Sequence, residues 1–123
     1  MQNDKSKFKD DFKRRAYRFA LDVIAFIDQM PQGQVSSTIG DQLLRSATSV
    51  GANIVEAKSA ASRKDYANFF TYALKSANET KFWLSLLRDS GKAEAEATDK
   101  LLKEVTELSN ILATSILTLK NKK

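Results

Sequence analysis

Polar side chains recur at helical spacing within residues 42–57, which makes this segment the part of the chain best equipped for chemistry. Ser46, Ser49, Asn53 and Glu56 lie three or four positions apart, so one face of a helix would carry all four. An apolar stripe runs beside them at the same spacing: Leu43, Ala47, Val50, Ile54 and Ala57. A polar ladder next to a core stripe indicates a role beyond filling space.

Glu56 and Glu79 are the two carboxylates that we expect to face inward, and paired carboxylates in a helical bundle can exchange protons or hold metal. The 123-residue chain contains no histidine and no cysteine. This excludes the Glu-x-x-His pairs of di-metal bundles, imidazole and thiolate metal sites, and Ser–His or Cys–His nucleophiles. We therefore expect no enzyme, no metal and no cofactor.

A structural role for these polar residues fits better. Each carboxylate is expected to accept hydrogen bonds from Arg45, Ser46 or Ser49, and Asn53 is expected to be a buried hydrogen-bonding residue. We call this set the polar bracket, and its predicted members are Arg45, Ser46, Ser49, Asn53, Glu56 and Glu79.

The composition predicts one globular domain spanning residues 1–123, because length, 42% hydrophobic residues and 28% charged residues are all ordinary for such a domain. One proline and four glycines are few, which favours long helices. The polar N-terminus and the lack of a long apolar run predict no leader peptide and no membrane span. With no cysteine available for disulfides, we expect a cytoplasmic protein.

Four helices are predicted, over about residues 7–30, 38–59, 62–89 and 93–120, each with an apolar stripe at three- and four-residue spacing. Pro31 and Gly33 end the first helix, and Gly91 ends the third. Ser36, Ser37, Thr38 and Ser62 are candidate N-caps. Short connections make neighbouring helices antiparallel, so the predicted fold is an all-α, up-down-up-down four-helix bundle.

Basic residues cluster in three places, and the net charge is +5. One group lies at the start of the first helix, one around the second connection and one at the end of the fourth helix. In an up-down bundle all three meet at one pole, where they would suit a phosphate backbone. The predicted phosphate contacts are Lys13, Arg14, Arg15, Arg18, Lys58, Arg63 and Lys64, and the third group is Lys120, Lys122 and Lys123. The alternative is that these are solvated charged ends.

The third helix carries more apolar surface than a bundle needs. Phe69, Tyr72, Trp83 and Leu86 lie off its main stripe and trace a second, mixed face. Such a face is typical of an oligomer interface. The alternative is that wide aromatic side chains simply broaden the core stripe.

Residues 42–57, QLLRSATSVGANIVEA, resemble the signature of the bacterial four helix bundle protein family, also called the 23S ribosomal RNA intervening-sequence protein family. The segments SRKDYANFF (62–70), ALKSA (73–77) and ETKFWL (79–84) are similar to the same family's pattern. The resemblance extends from about Phe12 to Leu119. Ala57 stands where many members have glycine, which suggests a longer second helix here.

The resemblance implies an antiparallel four-helix bundle that assembles as a homopentamer. The family includes retroelement accessory proteins that bind nucleic acid and associate with a reverse transcriptase, although those are more basic than this chain. Its ribosomal name reflects gene location and does not imply a ribosome component. We therefore predict a non-enzymatic, pentameric bundle that binds RNA or DNA through a basic surface. The alternative is a protein-interaction scaffold with no nucleic-acid role.

Overall fold

The computed structural model describes residues 4–121, with side chains from Lys7 onward. It consists of four α-helices: α1 (Asp4–Gln29), α2 (Gln34–Ala57), α3 (Arg63–Asp89) and α4 (Ala95–Asn121). Consecutive helices pack against each other, and α4 returns to contact α1. The predicted all-α four-helix bundle is confirmed. Of the basic residues discussed above, Lys122 and Lys123 lie outside the described part of the chain.

The apolar stripes read from the sequence meet in one core. Every member of the α2 stripe is buried, and Phe12, Phe19 and Val23 of α1 are buried with it. From α3 and α4, fully buried leucines complete the centre: Leu84, Leu87, Leu108 and Leu112. At the end of α1 the packing loosens, since Phe26 and the following Met30 are only partly buried against this core. Removing these side chains from water is the main force that holds the bundle together.

The helix ends differ from the predicted ones mainly at α2, which begins at Gln34 and not at Thr38. Its N-cap is Gly33 in an extended conformation with no side-chain cap, so Ser36 lies inside the first turns and is buried. At α3 the predicted cap is present, because the Ser62 Oγ accepts a hydrogen bond from the Asp65 backbone N–H at 3.0 Å. This bond satisfies one of the unpaired amides at the helix start.

The α3–α4 connection depends on Gly91, which adopts a φ of 74°. In that left-handed conformation the chain turns back, and the Lys92 backbone N–H donates to the Leu87 carbonyl at 3.0 Å. Glycine adopts it without the steric cost that a Cβ would add.

The four helices are not packed equally. α3 has extensive contacts with both α2 and α4, whereas α1 contacts α2 well and α4 sparsely. Where α1 meets α2, small residues allow a close approach: a Cβ placed on Gly51 would lie 3.7 Å from the Ala16 backbone and side chain. None of the helices within residues 4–121 is long and apolar enough to cross a bilayer.

Candidate nucleic-acid interface

A groove of about 900 Å³ opens at the pole where the start of α1, the α2–α3 connection and the end of α4 meet. Four cationic side chains line it: Lys9, Lys13, Lys58 and Arg63. Asp10 is the only carboxylate among its described lining residues. We call it the pole groove, and its charge makes it attractive to an anion.

Aromatic rings form the apolar part of the pole groove. Phe12 and Phe70 are nearly buried, with ring centroids 6.2 Å apart. Phe70 also contacts Tyr66 at 4.9 Å, and Phe12 stacks on Phe8 at 6.3 Å with an interplanar angle of 14°. Phe8 remains 52% exposed, so this ring cluster continues from the core to the solvent.

Tyr66 combines this apolar environment with a charge contact. The Lys9 Nζ lies 5.4 Å from the centroid of the Tyr66 ring, which is within the range of a cation–π interaction. Burial raises the pKa of the Tyr66 phenol, because the charged phenolate would be poorly solvated there. The Tyr66 ring thus belongs to the aromatic lining of the pole groove.

Neutral hydroxyl groups complete the pole groove. Ser62 borders it at the start of α3, and Thr114, Ser115 and Thr118 border it from α4. Hydroxyls both donate and accept hydrogen bonds, so they suit phosphate, sugar or base edges equally. The pole groove thus presents positive charge, aromatic rings and hydroxyl groups to one ligand.

The seven predicted phosphate contacts do not form one surface. Lys13, Lys58 and Arg63 line the pole groove, while Lys64 is exposed beside it. Lys13 lies 3.9 Å from the Asp10 carboxylate, a loose pair. The three remaining arginines surround a separate depression of about 280 Å³ together with Asp11 and Glu104: Arg14, Arg15 and Arg18. These three arginines lie on a different side of α1 from Lys9 and Lys13, and none of them lines the pole groove.

Arg15, a predicted phosphate contact, pairs with two glutamates of α4. Its Nη2 donates to Glu104 at 2.6 Å and to Glu107 at 3.2 Å, and its Nε donates to Glu104 at 3.1 Å. Hydrogen bonding to Glu104, followed by the attraction of both carboxylates, raises the pKa of Arg15 despite partial burial. Its charge is thus used to join α1 to α4. Arg14 pairs more loosely with Asp11, at 3.5 Å.

The polar bracket is also composed differently from the prediction. The Thr80 Oγ1 donates to the Ser46 Oγ at 2.9 Å, and the Ser76 Oγ donates to the Ser49 Oγ at 3.0 Å. Asn53 adds a bond from its Nδ2 to the Ser49 Oγ at 3.1 Å. Hydroxyl groups of α2 and α3 therefore form the bracket, and no carboxylate takes part in these bonds.

Arg45, Glu56 and Glu79, which were predicted to belong to the polar bracket, are exposed. Arg45 precedes the buried Ser46 and Glu56 precedes the buried Ala57, and a step of one residue turns a helical side chain by about 100°. Glu79 accepts a hydrogen bond from the Trp83 Nε1 at 2.9 Å on the surface of α3. The prediction that these carboxylates face inward was wrong.

Ser76 and Thr80 are the bracket residues that sequence reasoning missed. Both lie on α3, outside the segment 42–57 from which most of the bracket was predicted. Ser76 and Thr80 are hydroxyl residues about one helical turn apart, as Ser46 and Ser49 are on α2. This shared spacing of about one turn was the available signal. Which hydroxyl of α3 meets which hydroxyl of α2 depends on how the two helices are aligned along their axes.

The second face of α3 is divided between core and surface. Phe69 and Trp83 are partly buried against the core, which agrees with a broadened stripe. Tyr72 and Leu86 are 49% and 39% exposed, and neighbouring Phe82 is 59% exposed. These three exposed side chains are the part of the face that remains available for a partner.

Residues 4–121 contain no group of three or more acidic side chains placed to hold a metal ion.

Comparisons with known proteins agree with the fold. The family model described as "23S rRNA-intervening sequence protein" matches residues 9–114. A crystal structure of a protein with unknown function from the S23 ribosomal protein family of Bacteroides thetaiotaomicron VPI-5482 is 34% identical and has a TM-score of 0.82. The alignment covers 88% of this chain and 96% of that one. Comparison with curated proteins gives no match. With a family model matched over most of its length and a similar fold, the chain belongs to the 23S rRNA-intervening sequence protein family.

Proposed function

We propose that this protein is a non-enzymatic, cytoplasmic nucleic-acid-binding bundle that contacts phosphates through the pole groove. The observation that carries the proposal is the charge of that groove, where four cationic side chains surround a single described carboxylate. They come from α1, the α2–α3 connection and α3, so the fold itself brings them together. Solubility alone would not require cations from three elements to share one concave surface.

The expected salt dependence of nucleic-acid binding follows from the release of counterions from the phosphates. A ligand that places one phosphate on each of the three groove lysines should show a log K against log salt slope of about −3 on duplex DNA. A protein with merely solvated charged ends would bind weakly at low salt and show a shallow slope.

The test is fluorescence anisotropy with a structured RNA and a duplex DNA, from roughly 50 to 200 mM salt. The double variant Lys13→Gln/Lys58→Gln should weaken binding to all sequences and reduce the slope by about 2, because two phosphate contacts are lost. The matched control is Lys92→Gln/Lys100→Gln, which removes the same charge from exposed positions at the α3–α4 end. Equal effects of the two double variants, or no binding at low salt, would refute the proposal.

Assembly into a homopentamer, which the family resemblance implies, is the second part of the proposal. Exposed apolar side chains on α3 support it: Tyr72, Phe82 and Leu86. Trp83 packs partly on the core, so replacing it would also disturb the fold. Tyr72→Asp therefore tests this face with less effect on the core. We expect light scattering after size exclusion to show the unmodified protein as a pentamer and this variant as smaller species. An unmodified protein that elutes as a monomer would refute the assembly.

The alternative function is a protein-interaction scaffold, and the same exposed residues of α3 favour it. A reverse transcriptase is the partner that the family resemblance suggests. In that case Tyr72→Asp would abolish capture of the partner, whereas nucleic-acid binding by the purified bundle would be negligible at physiological salt.

A further inference from the structure

We propose that the pole groove binds an unpaired nucleotide, with its base against the rings of Phe8 and Tyr66 and its phosphates on the surrounding lysines. This inference rests on the proposed function and specifies its ligand as single-stranded nucleic acid. It is based on the observation that an exposed aromatic surface lies among the cations of one groove.

The aromatic component is more than phosphate binding requires. Phe8 is 52% exposed although it stacks on the nearly buried Phe12, so one part of its ring is left to solvent beside charged residues. A base would cover this ring by stacking, and stacking tolerates any base because each has a π-face. Cationic grooves with aromatic platforms are the usual arrangement for binding single strands.

The size of the pole groove fits the same ligand. Its volume of about 900 Å³ lies in the range of roughly 300–1,000 Å³ that is typical of pockets for small organic ligands. A single nucleotide is a ligand of that class. In a duplex the faces of the bases are covered by their neighbours in the stack, so a duplex could use the lysines but not the rings.

Lys9 has a specific place in this arrangement. Its ammonium lies 5.4 Å from the Tyr66 ring centroid and occupies the ring face that a base would use. A lysine side chain is long and flexible, so a base can displace it at little cost, and the released ammonium then pairs with a phosphate. Hydroxyls of α4 border the same space and can bond a base edge or a ribose 2′-OH: Thr114, Ser115 and Thr118.

The experiment compares three probes of about 12 nucleotides, a length within the range bound by single-strand-binding domains: an unstructured RNA, a DNA of the same sequence, and the corresponding DNA duplex. Each single strand carries one 2-aminopurine, whose fluorescence is quenched when it stacks on an aromatic ring. Binding is followed by anisotropy and by this quenching, at one fixed salt concentration.

Phe8→Ala is the principal variant, because an exposed side chain can be removed without damaging the core. We expect it to weaken single-strand binding roughly tenfold and to reduce the quenching, while duplex binding is retained. Tyr66→Leu, which keeps an apolar side chain against Phe70, should act in the same direction. Tyr17→Ala is the matched control, since Tyr17 is a 68% exposed aromatic residue of α1 outside the pole groove.

The outcomes separate this inference from the proposed function. If the unmodified protein binds duplex and single strands equally, and Phe8→Ala leaves both unchanged, the nucleotide site is refuted while nucleic-acid binding stands. If Phe8→Ala and Tyr17→Ala have equal effects, the site is also refuted. If no probe binds at low salt, both proposals fail. A preference for RNA over DNA of the same sequence would assign a contact to the 2′-OH.

Discussion

Replacing Thr80 by valine should cost about 1 kcal/mol of the free energy of unfolding, the usual net contribution of one hydrogen bond. Thr80 is fully buried, and its one hydroxyl proton can be donated to the Ser46 Oγ at 2.9 Å or to the Ser76 carbonyl at 2.8 Å. Valine has nearly the same shape, so packing is preserved. The Ser46 Oγ keeps its bond to the Leu43 carbonyl at 3.2 Å, so no buried group loses every partner.

A double-mutant cycle with Ser46→Ala isolates the bond between the helices. Ser46→Ala should also cost about 1 kcal/mol, because the Thr80 Oγ1 can still donate to the Ser76 carbonyl. The double variant removes both partners together, so its cost should fall short of the sum by about 0.5–1 kcal/mol.

The assay is urea unfolding followed by circular dichroism, with Trp83 fluorescence as a second probe and one protein concentration throughout, since assembly would add a concentration dependence. The urea midpoint should fall with no change in slope. Thr71→Val is the matched control, because the Thr71 Oγ1 bonds only to the Ala67 carbonyl within the same helix. Additive single effects, or equal costs for Thr71→Val and Thr80→Val, would refute the reasoning.

Three further substitutions test other parts of the fold by thermal unfolding. Gly51→Ala should raise stability by about 0.5–1 kcal/mol, because a helical alanine loses less entropy and its Cβ would meet Ala16 at an ordinary 3.7 Å; a lower Tm would contradict this. Gly91→Ala should cost about 1 kcal/mol or more, since φ is 74° there, and an unchanged Tm would show that the turn tolerates a Cβ. Arg15→Gln should cost about 0.5–1 kcal/mol at low salt and less at 1 M salt, because its ion pairs with Glu104 and Glu107 are partly exposed; a cost independent of salt would argue against them.

The core was predictable because burial imposes one apolar stripe on each helix, and every α2 position assigned to that stripe is buried. The polar bracket was only partly predictable. Its α2 members Ser46, Ser49 and Asn53 could be read from spacing, but their partners on α3 depend on how two helices are aligned. Spacing also could not tell a residue at the edge of the stripe from one turned to solvent, which is why Glu56 and Glu79 were misplaced.

The cations of the pole groove were also only partly predictable from the sequence. Topology alone brought the start of α1 and the α2–α3 connection together, and the pole groove lies there. The sequence did not distinguish Lys9 and Lys13 from Arg14, Arg15 and Arg18, because these residues follow one another within three turns. Which of them faces the groove depends on the rotation of α1, and Arg15 is fixed by glutamates of α4 that are 89 and 92 residues away.

The sparse packing of α1 on α4 has a consequence for the native-state dynamics of the bundle. An element with few contacts on one side can separate from the rest at a lower free energy than global unfolding requires. Amide hydrogens of α1 should therefore exchange with solvent faster than those in the centres of α3 and α4. Because Phe8, Lys9 and Lys13 of α1 form one wall of the pole groove, each such opening would also widen the groove. A ligand bound there should slow the exchange of α1, because each opening of α1 would separate it from the ligand.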